Sequence, residues 1–292
     1  MAGLLAETRV SHLTLATGDV ERLAEWYTET LGLVVHGREA GMVRLGGPDG
    51  EGFLTLAHLP GAQRQTQGRV GQKALVTGLY HFAILLPSRA ALGQELGHLV
   101  EIGAAVSGAS DHRVSEALYL SDPDGNGVEV TSDRPRTDWR WQDGLVTMTV
   151  DPLDLRGLLA EAGTMGKAWA GVPPGTRLGH VHLRVRDLEA AAAFYQDVLG
   201  FEATARYPGA LFVAAGGYHH HFGLNTWESR NAPTPPPDAE GLRNVTIMLP
   251  DSAGLAAVAE RLRDNNWKFT DRDGVLTVRD PSENTLRLAV NL

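Results

Sequence analysis

The chain repeats itself, and an internal repeat limits architecture more than any local propensity does. "HLTLATGDVERLAEWYTETLGLVV", from His12, aligns without gaps on "HVHLRVRDLEAAAAFYQDVLGFEA", from His180. Both copies open with alternating apolar residues, the period of a half-buried strand. Asp19 and Asp187 then stand where a helix N-cap belongs. Leu23, Tyr27 and Leu31, or Leu188, Tyr195 and Leu199, share one helical face, and Gly32 and Gly200 supply the stop.

Two weaker copies share this spacing. "HFAILLPS", from His81, and "NVTIMLPD", from Asn244, are strands that run into a turn and an apolar helix. They end in "SDPDGNGVEVT" and "RDPSENTLRLA", each a turn followed by a strand. Four β-α-β-β-β modules therefore begin near residues 10, 79, 178 and 242. A lone module leaves one face of a small sheet bare, so modules must pair. The expectation is an α+β fold with the four modules paired into two half-barrel domains. Sequence neighbours would pair, giving domains at 1–134 and 178–292, with 135–177 as a linker containing one short helix.

Net charge is −9 over 292 residues, which opposes a nucleic-acid or anionic-membrane partner. The absence of cysteine removes disulfides, thiolate metal sites and cysteine nucleophiles. No signal-peptide pattern and no long apolar run is visible, so a cytoplasmic protein is expected. Open strand edges leave homo-oligomer formation as a further expectation.

The repeat also singles out ligands. His12 and His81 open the first two modules, and Glu129 lies in the last strand of the second. If those modules close into one half-barrel, two imidazoles and a carboxylate converge with coordination positions left open, which suits Fe(II) chemistry. The C-terminal pair carries Asn244 at the His81 position and Arg287 at the Glu129 position, and Arg cannot ligate a cation. A different pairing, of modules two and three, would instead bring His180 and one of His219, His220 and His221 to His81 and Glu129. "DPDGNG" also opens like a calcium-binding EF-hand loop, but a strand follows where a helix is required.

The paired modules, the "FY" and "WY" helices and the "DPDGNGVE" strand resemble the vicinal oxygen chelate superfamily, which includes glyoxalase I, bleomycin-resistance proteins and extradiol dioxygenases. "TGLYHFAILLPSR", "VSEALYLSDPDGNGVE" and "AAGGYHHHFGLNTW" are similar to its bacterial catechol 2,3-dioxygenase branch. The resemblance implies cleavage of a small aromatic diol by O2 on Fe(II), with Mn(II) as the alternative ion. Glyoxalase-type relatives use four protein ligands, but Thr55 occupies the place of the first module's acid, which leaves three. By resemblance Tyr119 is the hydrogen-bonding tyrosine and His112 the substrate-contacting histidine. His58, ending the first module's last strand, is placed for an acid or base role. Glyoxalase-type isomerisation, thiol transfer and metal-free binding are the competing functions.

Overall fold

The computed structural model describes residues 3–62, 76–163 and 168–290. Within them each module forms as the repeat predicts. The opening strands are Arg9–Thr17, Gly78–Leu86, Arg177–Arg184 and Gly241–Leu249. Helices follow at Val20–Leu31, Arg89–Glu101, Leu188–Ala193 and Ser252–Asp264. The third passes directly into a π-helical turn, Phe194–Val198. Each begins on a side-chain cap: Asp19, Ser88, Asp187 and Asp251 accept from backbone N–H groups of the first turn. Gly32 ends the first helix at φ 65°, a left-handed conformation that glycine adopts without strain.

The strands form two eight-stranded sheets, and both cross module boundaries in an unexpected way. In the first, the opening strand of module one lies antiparallel to that of module four, with Leu13 opposite Val245 and His12 opposite Thr246. In the second, module two pairs with module three, with Phe82 opposite Val181 and His81 opposite His182. The expected pairing of sequence neighbours, and with it the division at residues 134 and 178, is therefore not the one the strands make.

The physical reason lies in the segment between modules two and three. It contains the helix Leu155–Ala162, which packs on Arg89–Glu101 so closely that a Cβ on Gly93 would meet the Leu158 carbonyl oxygen at 2.3 Å. That docking turns the chain back and delivers Arg177–Arg184 beside Gly78–Leu86. The segment is thus part of the module-two face rather than a free linker. The larger hydrophobic core, containing Tyr27, Phe82, Phe194 and Phe222, joins the sheets to the helices, and a smaller cluster gathers Val114, Trp139, Val146, Ala214 and Tyr218. Full burial of each such side chain is worth ~1.5–3 kcal/mol.

Candidate metal centre

Strand register decides which residues face one another inside each half-barrel. In every module the opening strand runs parallel to the closing strand. The residue two past the module's first His or Asn lies opposite one closing-strand position: Ala83 opposite Glu129, His182 opposite Gly223, Thr14 opposite Thr55, and Thr246 opposite Arg287. Of these four equivalent positions only Glu129 is an acid.

Because modules two and three share a sheet, Glu129 meets His81 and His180. Its Oε2 lies 3.0 Å from His81 Nε2 and 3.2 Å from His180 Nε2. One donor atom from each of the three residues lies within 4.8 Å of the others, a set that can hold a metal ion. All three are buried, His81 at 9% exposure and the others at 2%. Burial works to raise the Glu129 pKa, but His180 and His81 outweigh it by charge and hydrogen bonding and hold the carboxyl well below its usual range. Burial lowers the His81 pKa, with Glu129 offsetting part of the effect. The donor set is therefore an ionised carboxylate beside an imidazole biased toward its ligating, neutral form.

His12, expected as a ligand, belongs to the other sheet. Its Nε2 shares a 2.8 Å hydrogen bond with Thr55 Oγ1, and burial lowers its pKa, with Arg44 and Arg287 adding to the effect. It is replaced in the cluster by His180, its counterpart in module three. His58, expected as an acid or base, is exposed at the end of Leu54–His58, also in the first sheet, and has no part in the cluster.

Tyr119 and His112 do reach the site. Tyr119 stands directly opposite Glu129 in the antiparallel pair. His112 Nδ1 lies 2.6 Å from the Thr149 carbonyl oxygen, which can only accept, so that nitrogen carries the proton. In the neutral ring Nε2 is then the acceptor for the Tyr119 hydroxyl, 2.6 Å away. Burial first, and the Glu129 charge second, push the Tyr119 phenol well above its ordinary pKa, so it stays a donor.

The triple histidine of module three forms a second chain of contacts. His219 Nε2 lies 2.9 Å from Asp133 Oδ1, a carboxylate oxygen, so His219 donates there. Its Nδ1 is then the lone-pair nitrogen that accepts from His220 Nδ1 at 2.8 Å. This leaves the lone pair of His220 on Nε2. The His220 ring packs 4.1 Å from that of His180 and lines the same pocket. Burial first, and the neighbouring His180 second, hold His220 well below the usual imidazole pKa, hence neutral. His182 also lines the pocket; it is buried, and its Nε2 has no hydrogen-bond partner among the described residues. Its ring lies against Gly223, where a Cβ would approach it to 2.8 Å. At this position, the equivalent of Glu129, stands a glycine that offers no ligand, and an imidazole fills the space. The sequence signal for these residues was the density of histidine in "GHVH" and "YHHHF".

The pocket above the cluster has a volume of about 690 Å3, with Tyr80, Met148, Phe212 and Trp227 among its apolar walls. It falls within the range of about 300–1,000 Å3 usual for small-molecule sites.

A family model described as the Glyoxalase/Bleomycin resistance protein/Dioxygenase superfamily matches residues 9–130 and 177–288. The chain is 43% identical over 284 residues to a catechol-2,3-dioxygenase of Bacillus subtilis (strain 168), covering 96% of each chain. It is 27% identical over 175 residues to biphenyl-2,3-diol 1,2-dioxygenase 3 of Rhodococcus globerulus, covering 56% of this chain and 90% of that one. In fold it is similar to a point variant of glyoxalase I from Zea mays, with a TM-score of 0.59 at 17% identity, covering 97% of this chain and 94% of that one.

Proposed function

Since the chain belongs to the glyoxalase/bleomycin resistance protein/dioxygenase superfamily, we propose that it is an extradiol dioxygenase that opens catechol-like aromatic diols with O2. The observation that carries this reading is the donor count. Two imidazoles and one carboxylate converge at the pocket floor, and glycine stands where a second acid, as fourth ligand, would make a closed, glyoxalase-like set. The 43% identity to a catechol-2,3-dioxygenase supports the same reaction class.

His81, Glu129 and His180 would hold a divalent ion, Fe(II) in the first place and Mn(II) as the alternative. The fit lies in the donor chemistry: a buried carboxylate between two imidazole nitrogens is a site where a cation can take the place of the two Nε2 protons. When bound, such an ion supplies Lewis acidity toward the two diol oxygens and a redox path between ring and O2.

The chain's own groups do the rest. His220 presents the lone pair of Nε2 to the pocket and accepts a proton from the diol. His219 and Asp133 keep the His220 tautomer fixed and stabilise the imidazolium that results. Tyr119, held as a neutral phenol whose proton goes to His112, accepts a hydrogen bond from a hydroxyl of the bound diol. The unpaired Nε2 of His182 offers a further hydrogen-bonding position on the same side. Apolar walls around these groups lower the local dielectric, which strengthens each polar contact.

The test is to load the protein anaerobically with Fe(II), add catechol and O2, and record the yellow ring-opened semialdehyde. Turnover is expected with Fe(II) and none with zinc, which has no redox chemistry. Glu129→Ala should weaken Fe(II) binding by at least about tenfold. Unchanged iron content in that variant, or an iron-loaded protein that opens no catechol, would overturn the reading.

A further inference from the structure

The pocket is far larger than a bare dihydroxybenzene needs. Its volume is about 690 Å3, whereas an engineered cavity of about 150 Å3 already admits benzene. The surplus lies along one wall of rings leading outward from the cluster. His81 packs edge-on against His182 at 4.9 Å, and His182 lies 5.5 Å from Trp227. Tyr80 touches both, at 5.0 Å from His182 and 5.6 Å from Trp227. Phe212 adds a further ring 5.0 Å from His220, and Tyr207 extends it by 5.7 Å.

At the outer end of this wall apolar groups are left open. Val150 is 79% exposed, Trp227 48% and Tyr207 37%. The two rings are nevertheless held rigidly. Trp227 Nε1 donates to the Pro208 carbonyl at 3.0 Å, and a Cβ on Gly209 would meet its Cδ1 at 3.1 Å. The Tyr207 hydroxyl donates to the Met148 carbonyl at 2.5 Å. A fixed aromatic face left open beside a pocket is a contact surface rather than incidental exposure.

Charge narrows the choice of ligand. Among the described residues lining the pocket, Arg184 is the single Arg or Lys. It hydrogen-bonds the Leu79 carbonyl, lies 5.1 Å over the Tyr80 ring and faces Glu228 at 3.9 Å. An anionic substituent would therefore compete with an acid already present.

We propose that the substrate is a catechol bearing a bulky, uncharged apolar substituent, such as an aryl or branched alkyl group. The substituent runs along the ring wall and is read at the mouth by Trp227 and Val150. This inference rests on the extradiol reading above. The experiment compares kcat/KM of the Fe(II)-loaded protein for catechol, a phenyl-substituted catechol and a carboxymethyl-substituted catechol. The phenyl compound is expected to exceed catechol by about tenfold or more, and the carboxymethyl compound to fall below it. Trp227→Ala should collapse the phenyl-to-catechol ratio. Val150→Ser, at a mostly exposed position, should lower it in the same direction and so does not depend on how the Trp227 variant folds. Anaerobic binding, followed by tryptophan fluorescence, should give the same order of affinities. Equal or better use of catechol or the carboxymethyl compound, by protein that does open catechol, overturns this inference and leaves the ring-cleavage reading intact. Failure to open any of the three overturns both.

Discussion

Glu95 is a buried acid that does not line the pocket, and it makes a clear prediction about stability. It lies on the inner side of Arg89–Glu101, where Oε2 accepts from Trp169 Nε1 at 2.8 Å. Its Oε1 has no hydrogen-bond partner among the described residues. Burial raises its pKa from 4.5 to about 8, the Trp169 hydrogen bond offsetting a little. The unfolded chain releases this proton near 4.5 and the folded chain only near 8, so between those values the folded state binds more protons. Stability is then lost as pH rises through that window. Glu95→Gln keeps an acceptor for Trp169 and removes the ionisation. Its stability relative to the parent should climb at up to ~1.4 kcal/mol per pH unit, from about pH 5 to about pH 8. Urea unfolding of both proteins across that range measures it, and a difference independent of pH would refute the argument.

The turn-plus-strand element was legible in the sequence as a repeat, and the structure explains why it recurs. Asp122 accepts from the backbone N–H groups of Asp124 and Asn126, from Asn126 Nδ2 and from Tyr27 Oη, all between 2.8 and 3.0 Å. Asp280 repeats the pattern with Ser282, Asn284 and Tyr195. The residues that imitate a calcium loop thus spend a carboxylate on the turn itself and on a tyrosine from the preceding module's helix. Those aromatic residues were visible as helix-face residues, but their hydroxyl partners were not, because no local pattern encodes a contact between residues 27 and 122. Tyr27→Phe leaves the buried Asp122 carboxylate one donor short and should cost ~1–3 kcal/mol. Tyr195→Phe should cost less, since its bond to Asp280 is longer at 3.3 Å. Denaturant titration of the two single variants checks the order, and equal costs would mean that the hydroxyls are not the cause.

At the scale of the whole molecule, module count, the helix caps Asp19 and Asp187 and the closing-strand equivalence of Glu129, Thr55 and Arg287 could be read from sequence, because each follows from the repeat of one module in another. Which modules share a sheet could not, since all four opening strands carry similar apolar patterns and pairing depends on where the intervening segment docks. That one choice moved the third member of the cluster from His12 to His180. It also predicts how the protein behaves when divided. A chain split between Gly163 and Ala168 leaves His81 and Glu129 on the first fragment and His180 on the second. Each sheet draws one opening strand from either fragment. Neither piece alone should retain stoichiometric Fe(II), whereas refolding them together should restore both iron binding and diol cleavage, because both sheets can then be completed. Equilibrium dialysis with metal analysis on the separate and combined fragments gives the answer. Full-affinity iron binding by the N-terminal fragment alone would return His12 to the site and reject the observed pairing as the basis of function.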